Sequence, residues 1–214
     1  MKPIRVDEYA SREAVKRHHG ERLELVAAES AYLPSGSAVS NGQLALLALL
    51  ATAGMLFAGF ASAYLVRREG TDWNREPLPT ILIFTTIILL VSSITIEVSR
   101  SALRRGETTV ALLWAGTTTL LGLAFLAGQW DAWRQLAARG LYLPTSPYSS
   151  FFYMLTAAHG LHLFGGIIVL AYLFWRMARS EKGRGVTSVF RNCATYWHFV
   201  GGVWLLLYLL LRLY

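Results

Sequence analysis

Apolar residues fall along this chain in five blocks, at about 43–66, 80–99, 109–130, 151–175 and 194–213, and the polar connections between them hold nearly all the charge. Each block approaches or exceeds the ~20 residues that a helix rising ~1.5 Å per residue needs to cross a ~30 Å hydrocarbon core. Within lipid every backbone N–H and C=O must be satisfied inside the protein, so single spans of this length predict helices, not strands or coil. The pattern predicts an all-α membrane protein: a five-transmembrane-helix bundle over 43–214, preceded by a polar tail at 1–42. No repeat of fixed period and no low-complexity tract divides the bundle further.

Polar positions inside the blocks carry the finer information. The first span, "QLALLALLATAGMLFAGFASAYLVRR", sets Ala51, Gly54, Ala58 and Ser62 at steps of three and four, a small-residue face that predicts close helix approach. The second interrupts its apolar run with Thr85, Thr86, Ser92, Ser93 and Thr95, hydroxyls that can bond to their own helix or to a neighbour. Glu97, the only carboxylate within a predicted span, lies one turn from Arg100, which predicts pairing with Arg100 or Arg104 in preference to a proton-carrying role. The third span ends in Trp130 and Trp133, an expected interfacial girdle. The fourth contains "HGLH", with His159 and His162 on roughly one helix face, and the fifth carries His198 in "YWHF".

The tail holds six basic and six acidic residues. Its segment "DEYASREAVKRHHGERLELV" predicts a surface helix on which His18 and His19 are solvated, and "LPSGS" at 33–37 breaks that helix before the first span. The first 30 residues contain no apolar core of a cleavable signal, so the first span is expected to serve as its own insertion signal.

Composition agrees with lipid as the solvent, since 54% of residues are hydrophobic and only 15% are charged. The net charge of +7 is informative once sorted by side. The tail, the 100–108 connection and the 176–193 connection share one face and hold 14 of the 20 Lys and Arg residues. The positive-inside rule then predicts a cytoplasmic N-terminus and an external C-terminus, and no nucleic-acid partner is needed to explain the basicity. Cys193 is the only cysteine, which excludes an internal disulfide and any thiolate cluster.

Three intramembrane histidines invite a redox reading. A bis-histidine haem needs two opposed imidazoles at matching depth, yet His198 lies near one end of its span while His159 and His162 lie deeper. A zinc or copper site would want further carboxylate or thiolate ligands within the bundle. The bland alternative has each imidazole hydrogen-bonded to a hydroxyl or carbonyl on a neighbouring helix. A structural subunit, a b-type cytochrome subunit with His159 or His162 and His198 as ligands, and a small transporter all stay open on the residues alone.

"SFFYMLTAAHGLHLFGGIIVL" followed by "YWHFVGGVWLLLYLLL" resembles the signature of subunit III of haem–copper cytochrome c oxidases. That family writes the motifs as F-Y-x-L-T-x-x-H-G-x-H-V and Y-W-H-F-V-D-x-V-W-L. "MLFAGFASAYLVRR" resembles its F-F-x-x-F-x-[SW]-A-Y motif, and the likeness covers about 40–214 in the family's order. The resemblance implies a non-catalytic subunit of a bacterial inner-membrane oxidase that reduces oxygen in aerobic respiration. It would contact subunit I directly, with subunit II in the same complex, bind phospholipid and support proton uptake. It implies no cofactor or metal in this chain, with haem and copper held by partner subunits. His159, His162, Tyr196, Trp197, His198, Trp204, Glu97 and Arg100 are then candidates for structural, lipid or subunit contact, and His159 is expected to face a lipid-lined or subunit-facing cavity.

Two positions depart from the family's pattern. Ala53 and Gly201 stand where many members carry carboxylates, so no proton-antenna role is transferred to them. Many members also have two further helices before these five. The chain resembles the shorter bacterial form, whose missing wall is expected to come from a partner subunit.

Overall fold

A computed structural model of the protein describes residues 40–73, 76–179 and 184–213, together with Arg22 and Glu24. The chain divides after Ser40 into two units. In the first, Arg22 and Glu24 are helical and exposed, and the expectations for His18, His19 and residues 33–37 lie outside the described residues. The second unit contains α1 (Asn41–Arg67), α2 (Ile81–Arg104), α3 (Thr108–Ala138), α4 (Pro147–Ala178) and α5 (Arg184–Leu213). All five are long and apolar enough to cross a membrane, and no strand occurs among the described residues.

Helix ends follow local chemistry more closely than the apolar runs do. α4 starts at Pro147 because Ser146 and Ser149 form a reciprocal capping box and proline is tolerated at the first helical position. α5 begins well before the predicted start at 194. Val186, Phe190, Cys193 and Trp197 recur at helical spacing and are buried, so the arginines and hydroxyls between them are the wet face of an amphipathic turn. α3 runs past 130 for the same reason, with Gln129, Ala132 and Leu136 facing inward. Gly106 and Gly140 close α2 and α3 with φ of +81° and +78°, a backbone state in which a Cβ would be strained.

α2 packs on α3, α3 on α4, α4 on α5, and α5 closes back on α2, while α1 lies outside this ring against α5 and α4. The α2–α3 seam is lined by small side chains. Ser92, Thr95, Ser99 and Ala102 face Ala111, Ala115, Thr118 and Gly122, and all of these are buried. Small residues let backbones approach, which is the packing contact available to helices in lipid. The Thr95 and Thr118 hydroxyls meet at 2.8 Å, and Ser99 Oγ donates to the Ala111 carbonyl at 2.7 Å.

α1 differs from expectation. Ala53, Phe57 and Tyr64 face the bundle, whereas Ala51, Ala58 and Ser62 of the predicted small-residue face are exposed. Phe57 and Tyr64 offer far more contact area than a methyl or hydroxyl, and α1 is held by its rings, not by close backbone approach.

Candidate functional site

The motif residues converge on a polar and aromatic hub that joins all five helices. On α5, Trp204 is fully buried and its indole Nε1 donates to Thr86 Oγ1 of α2 at 3.0 Å. Its ring lies 4.8 Å from Phe125 of α3, edge to face at 89°, and 4.9 Å from the His159 imidazole of α4. Phe125 and His159 are 5.6 Å apart, and Phe57 of α1 completes the box 6.4 Å from His159. Edge-to-face pairs of this kind contribute roughly 0.5–1.5 kcal/mol each beyond their buried area.

His159 therefore differs from the hydrogen-bonded residue expected from the sequence. Both ring nitrogens are buried and have no hydrogen-bond partner among the described residues. The box of rings also leaves its side chain fully buried, where the expectation had it facing a lipid-lined or subunit-facing cavity. The neighbouring helices turn aromatic rings towards His159, and the Thr86 hydroxyl of α2 is taken by the Trp204 indole. The nearest α4 hydroxyl, Thr156, is occupied by the Trp133 indole at 3.0 Å and by its own Phe152 carbonyl at 2.7 Å.

A second layer lies one to two turns away. Trp197 Nε1 donates to Ser92 Oγ of α2 at 3.0 Å, and the Ser92 hydroxyl in turn donates a hydrogen bond to the Leu89 carbonyl at 2.7 Å. A Cβ placed on Gly122 of α3 would stand 2.8 Å from Trp197 Cη2 and 3.1 Å from the Ile167 side chain of α4, so glycine here makes room for the indole. Gly166 serves Tyr196 in the same way, at 3.1 Å. Tyr196 donates its hydroxyl to the His162 carbonyl at 2.9 Å, and His162 Nδ1 bonds to the Ala158 carbonyl of its own helix at 2.8 Å. His162 also packs against Phe57, with ring centroids 5.2 Å apart.

His198 belongs elsewhere. Its Nε2 lies 3.3 Å from Glu97 Oε1 across the α2–α5 seam, and the same oxygen accepts from Arg100 Nη1 at 2.8 Å. Glu97 thus takes Arg100 as predicted and adds an interhelical partner that the sequence reading did not anticipate. The buried Gly201 sits in the same seam, where an added Cβ would lie 3.5 Å from Ser93 Oγ. Ser93 and Glu97 are one turn apart on α2, as are His198 and Gly201 on α5. The carboxylate of this seam comes from α2. Ala53, the other departure, is buried on α1 and leaves that face apolar.

Sequence reading missed a third cluster at the opposite edge. Trp73, from the loop after α1, stacks edge-on between Tyr64 of α1 at 5.0 Å and Tyr148 of α4 at 5.6 Å. Arg67 holds the same loop through Asp72, with Nη1 2.7 Å from Oδ1. That hydrogen bond holds the exposed Asp72 carboxyl below the usual carboxylate range. Trp133 also moves inward from its expected interfacial place, through its bond to Thr156, while Trp130 keeps an exposed position.

His198 faces Glu97, and His159 is closed in by Phe57, Phe125 and Trp204, so the two are not assembled as an opposed pair around a common space. No group of three or more His, Cys, Asp or Glu is placed to hold a metal ion among the described residues. Fold and motif geometry together define a multi-pass helical membrane protein whose motif side chains pin helix to helix. Residues 41–214 match the family model described as Cytochrome c oxidase subunit III. The chain belongs to the cytochrome c oxidase subunit III family. It is 35% identical over 159 residues to a probable cytochrome c oxidase subunit 3 of Mycobacterium bovis, covering 72% of this chain and 78% of the relative. It is 33% identical over 181 residues to cytochrome c oxidase subunit 3 of Thermostichus vulcanus, covering 78% and 85%. The Synechocystis protein of the same name is 33% identical over 165 residues, covering 74% and 69%.

Proposed function

We propose that the chain is an accessory subunit of a bacterial inner-membrane haem–copper oxidase, holding the oxygen-reducing subunit I and annular phospholipid in place and supporting proton uptake. Haem and copper reside in partner subunits in this reading, and the chain carries no redox centre. The observation that carries it is the hub, in which motif histidine and tryptophan side chains are consumed by contacts between this chain's own helices. Groups used in this way brace a scaffold. The exposed outer side of α1, with the small residues Ala51, Ala58, Gly59 and Ser62, fits close approach by a helix of a partner subunit. The charge distribution fits a cytoplasmic N-terminus.

Purifying the oxidase from cells with and without this chain tests the reading. The depleted oxidase is expected to keep its haem spectrum and initial oxygen consumption while losing activity faster during turnover and melting at lower temperature. Loss of the haem spectrum on depletion would contradict it.

A further inference from the structure

The end of α2 and the start of α5 enclose a hollow of about 470 Å³ at one edge of the bundle. Three arginines from two helices line it: Arg100 and Arg104, one turn apart on α2, and Arg191 on α5. Thr187 and Ser188, in the opening turns of α5, add hydroxyls. Leu103 and Phe190 form an apolar floor, and Phe190 is fully buried. Arg104 and Arg191 are exposed and have no acidic partner among the described residues, whereas Arg100 shares its Nη1 with Glu97.

Two guanidinium groups on facing helices repel each other unless an anion lies between them. Guanidinium forks match phosphate oxygens bidentately, and hydroxyls donate to the same oxygens. The opening turn of a helix also presents unsatisfied N–H groups and a partial positive charge. A carboxylate partner would satisfy one fork; a phosphate presents enough oxygens for several donors at once. The apolar floor and the place of the hollow at the ends of two spans set any occupant at headgroup depth. Building on the reading of the chain as a lipid-binding oxidase subunit, we propose that this hollow is a binding site for a phosphate group, with Arg104, Arg191, Thr187 and Ser188 as its donors. Glu97 tunes the site by holding Arg100 partly away from it.

An anionic phospholipid headgroup and free phosphate share this chemistry, and two arms separate them. The full chain is placed in nanodiscs of phosphatidylcholine with or without phosphatidylglycerol, released into neutral detergent, and its retained lipid is read by native mass spectrometry. The other arm uses phosphatidylcholine nanodiscs with inorganic phosphate and reads the melting temperature. Wild type is expected to retain phosphatidylglycerol about tenfold over phosphatidylcholine, and Arg104→Gln/Arg191→Gln to lose that preference, while Arg134→Gln keeps it. A phosphate-dependent rise in melting temperature that the double variant lacks also supports the site and makes the ligand soluble. Wild type and double variant behaving alike in both arms overturns it. Glu97→Gln, which removes the competing charge from Arg100, supplies a second test should the double variant not insert. It is expected to strengthen the same response, and an unchanged or weaker response overturns the site. Because the isolated chain is measured, failure here leaves oxidase association untouched, and failure to co-purify with an oxidase leaves this binding measurable.

Discussion

Replacing Gly122 by alanine inserts a methyl group where three helices meet. The new Cβ would lie 2.8 Å from Trp197 Cη2 and 3.1 Å from two atoms of the Ile167 side chain. Neither neighbour yields easily. Trp197 is 1% exposed and its indole is tied to Ser92 Oγ at 3.0 Å, so tilting the ring away from α3 stretches that bond. Overpacking of this size costs about 1–3 kcal/mol. An interhelical hydrogen bond in a membrane bundle adds about 0.6 kcal/mol on average if it breaks. Trp197→Phe removes the ring atoms that crowd the alanine, and Ser92 keeps its own bond to Leu89, so little is left unsatisfied. The expected result is a coupled pair. Gly122→Ala alone lowers stability by about 2 kcal/mol, and in the Trp197→Phe background it costs about 1 kcal/mol less. Reversible unfolding of the four variants in one detergent measures the cycle. A Gly122→Ala protein as stable as wild type, or strictly additive effects, would refute the reading of Gly122 as the slot for Trp197.

Other parts of the bundle make separate claims. His159→Phe is expected to be neutral or stabilising in the isolated chain, because it fills the same box without burying unpartnered ring nitrogens, whereas His159→Ala leaves a cavity and costs about 2–4 kcal/mol; thermal unfolding distinguishes the two. Thr95→Val and Thr118→Val each remove one member of a single hydroxyl contact, so the double variant is expected to lose no more than about 1 kcal/mol and less than the sum of the single losses. Asp72 is held low by its bond from Arg67. The contribution of that pair is present above the ordinary carboxylate range, near pH 4, and is lost as pH falls through the lower folded value. Protection factors of the amides across 68–73, taken relative to intrinsic exchange at each pH, should therefore fall on acidification in wild type and show no such step in Asp72→Asn.

Much of this architecture was legible because lipid imposes a length rule: five apolar runs became five helices, each within a few residues at the ends where no amphipathic turn extends the run. α5 shows where that rule stops. Val186 and Phe190 belong to the buried face of a helix whose other face carries Arg191 and Asn192, and a run-length criterion reads such a turn as loop. The hydroxyls of α2 signalled a polar seam in advance, since Thr95 had few other uses in lipid, whereas Ser99, at the end of the apolar run, drew no notice until the structure set it against Ala111. His159 was not legible in the same way. A histidine beside Gly160 and Thr156 suggests polar company, but the helices that reach it present Phe57, Phe125 and Trp204, and those partners depend on register between distant segments. The small residues of α1 misled for a related reason: periodicity identifies faces without saying which one the bundle buries. Trp73 and Tyr148 gave no periodic signal at all, being a loop ring and a helix-end ring brought together only by the fold.

In the proposed function, the chain serves an oxidase whose redox chemistry is carried by other subunits. The most direct measurement is gentle purification through a tag on the chain, with identification of the companion polypeptides and a pyridine haemochrome assay on both the complex and the separated chain. The expected outcome is an oxidase subunit I in stoichiometric company, haem in the complex, and none in the separated chain. A haem-bearing separated chain, or one recovered with no oxidase beside it, would contradict the account.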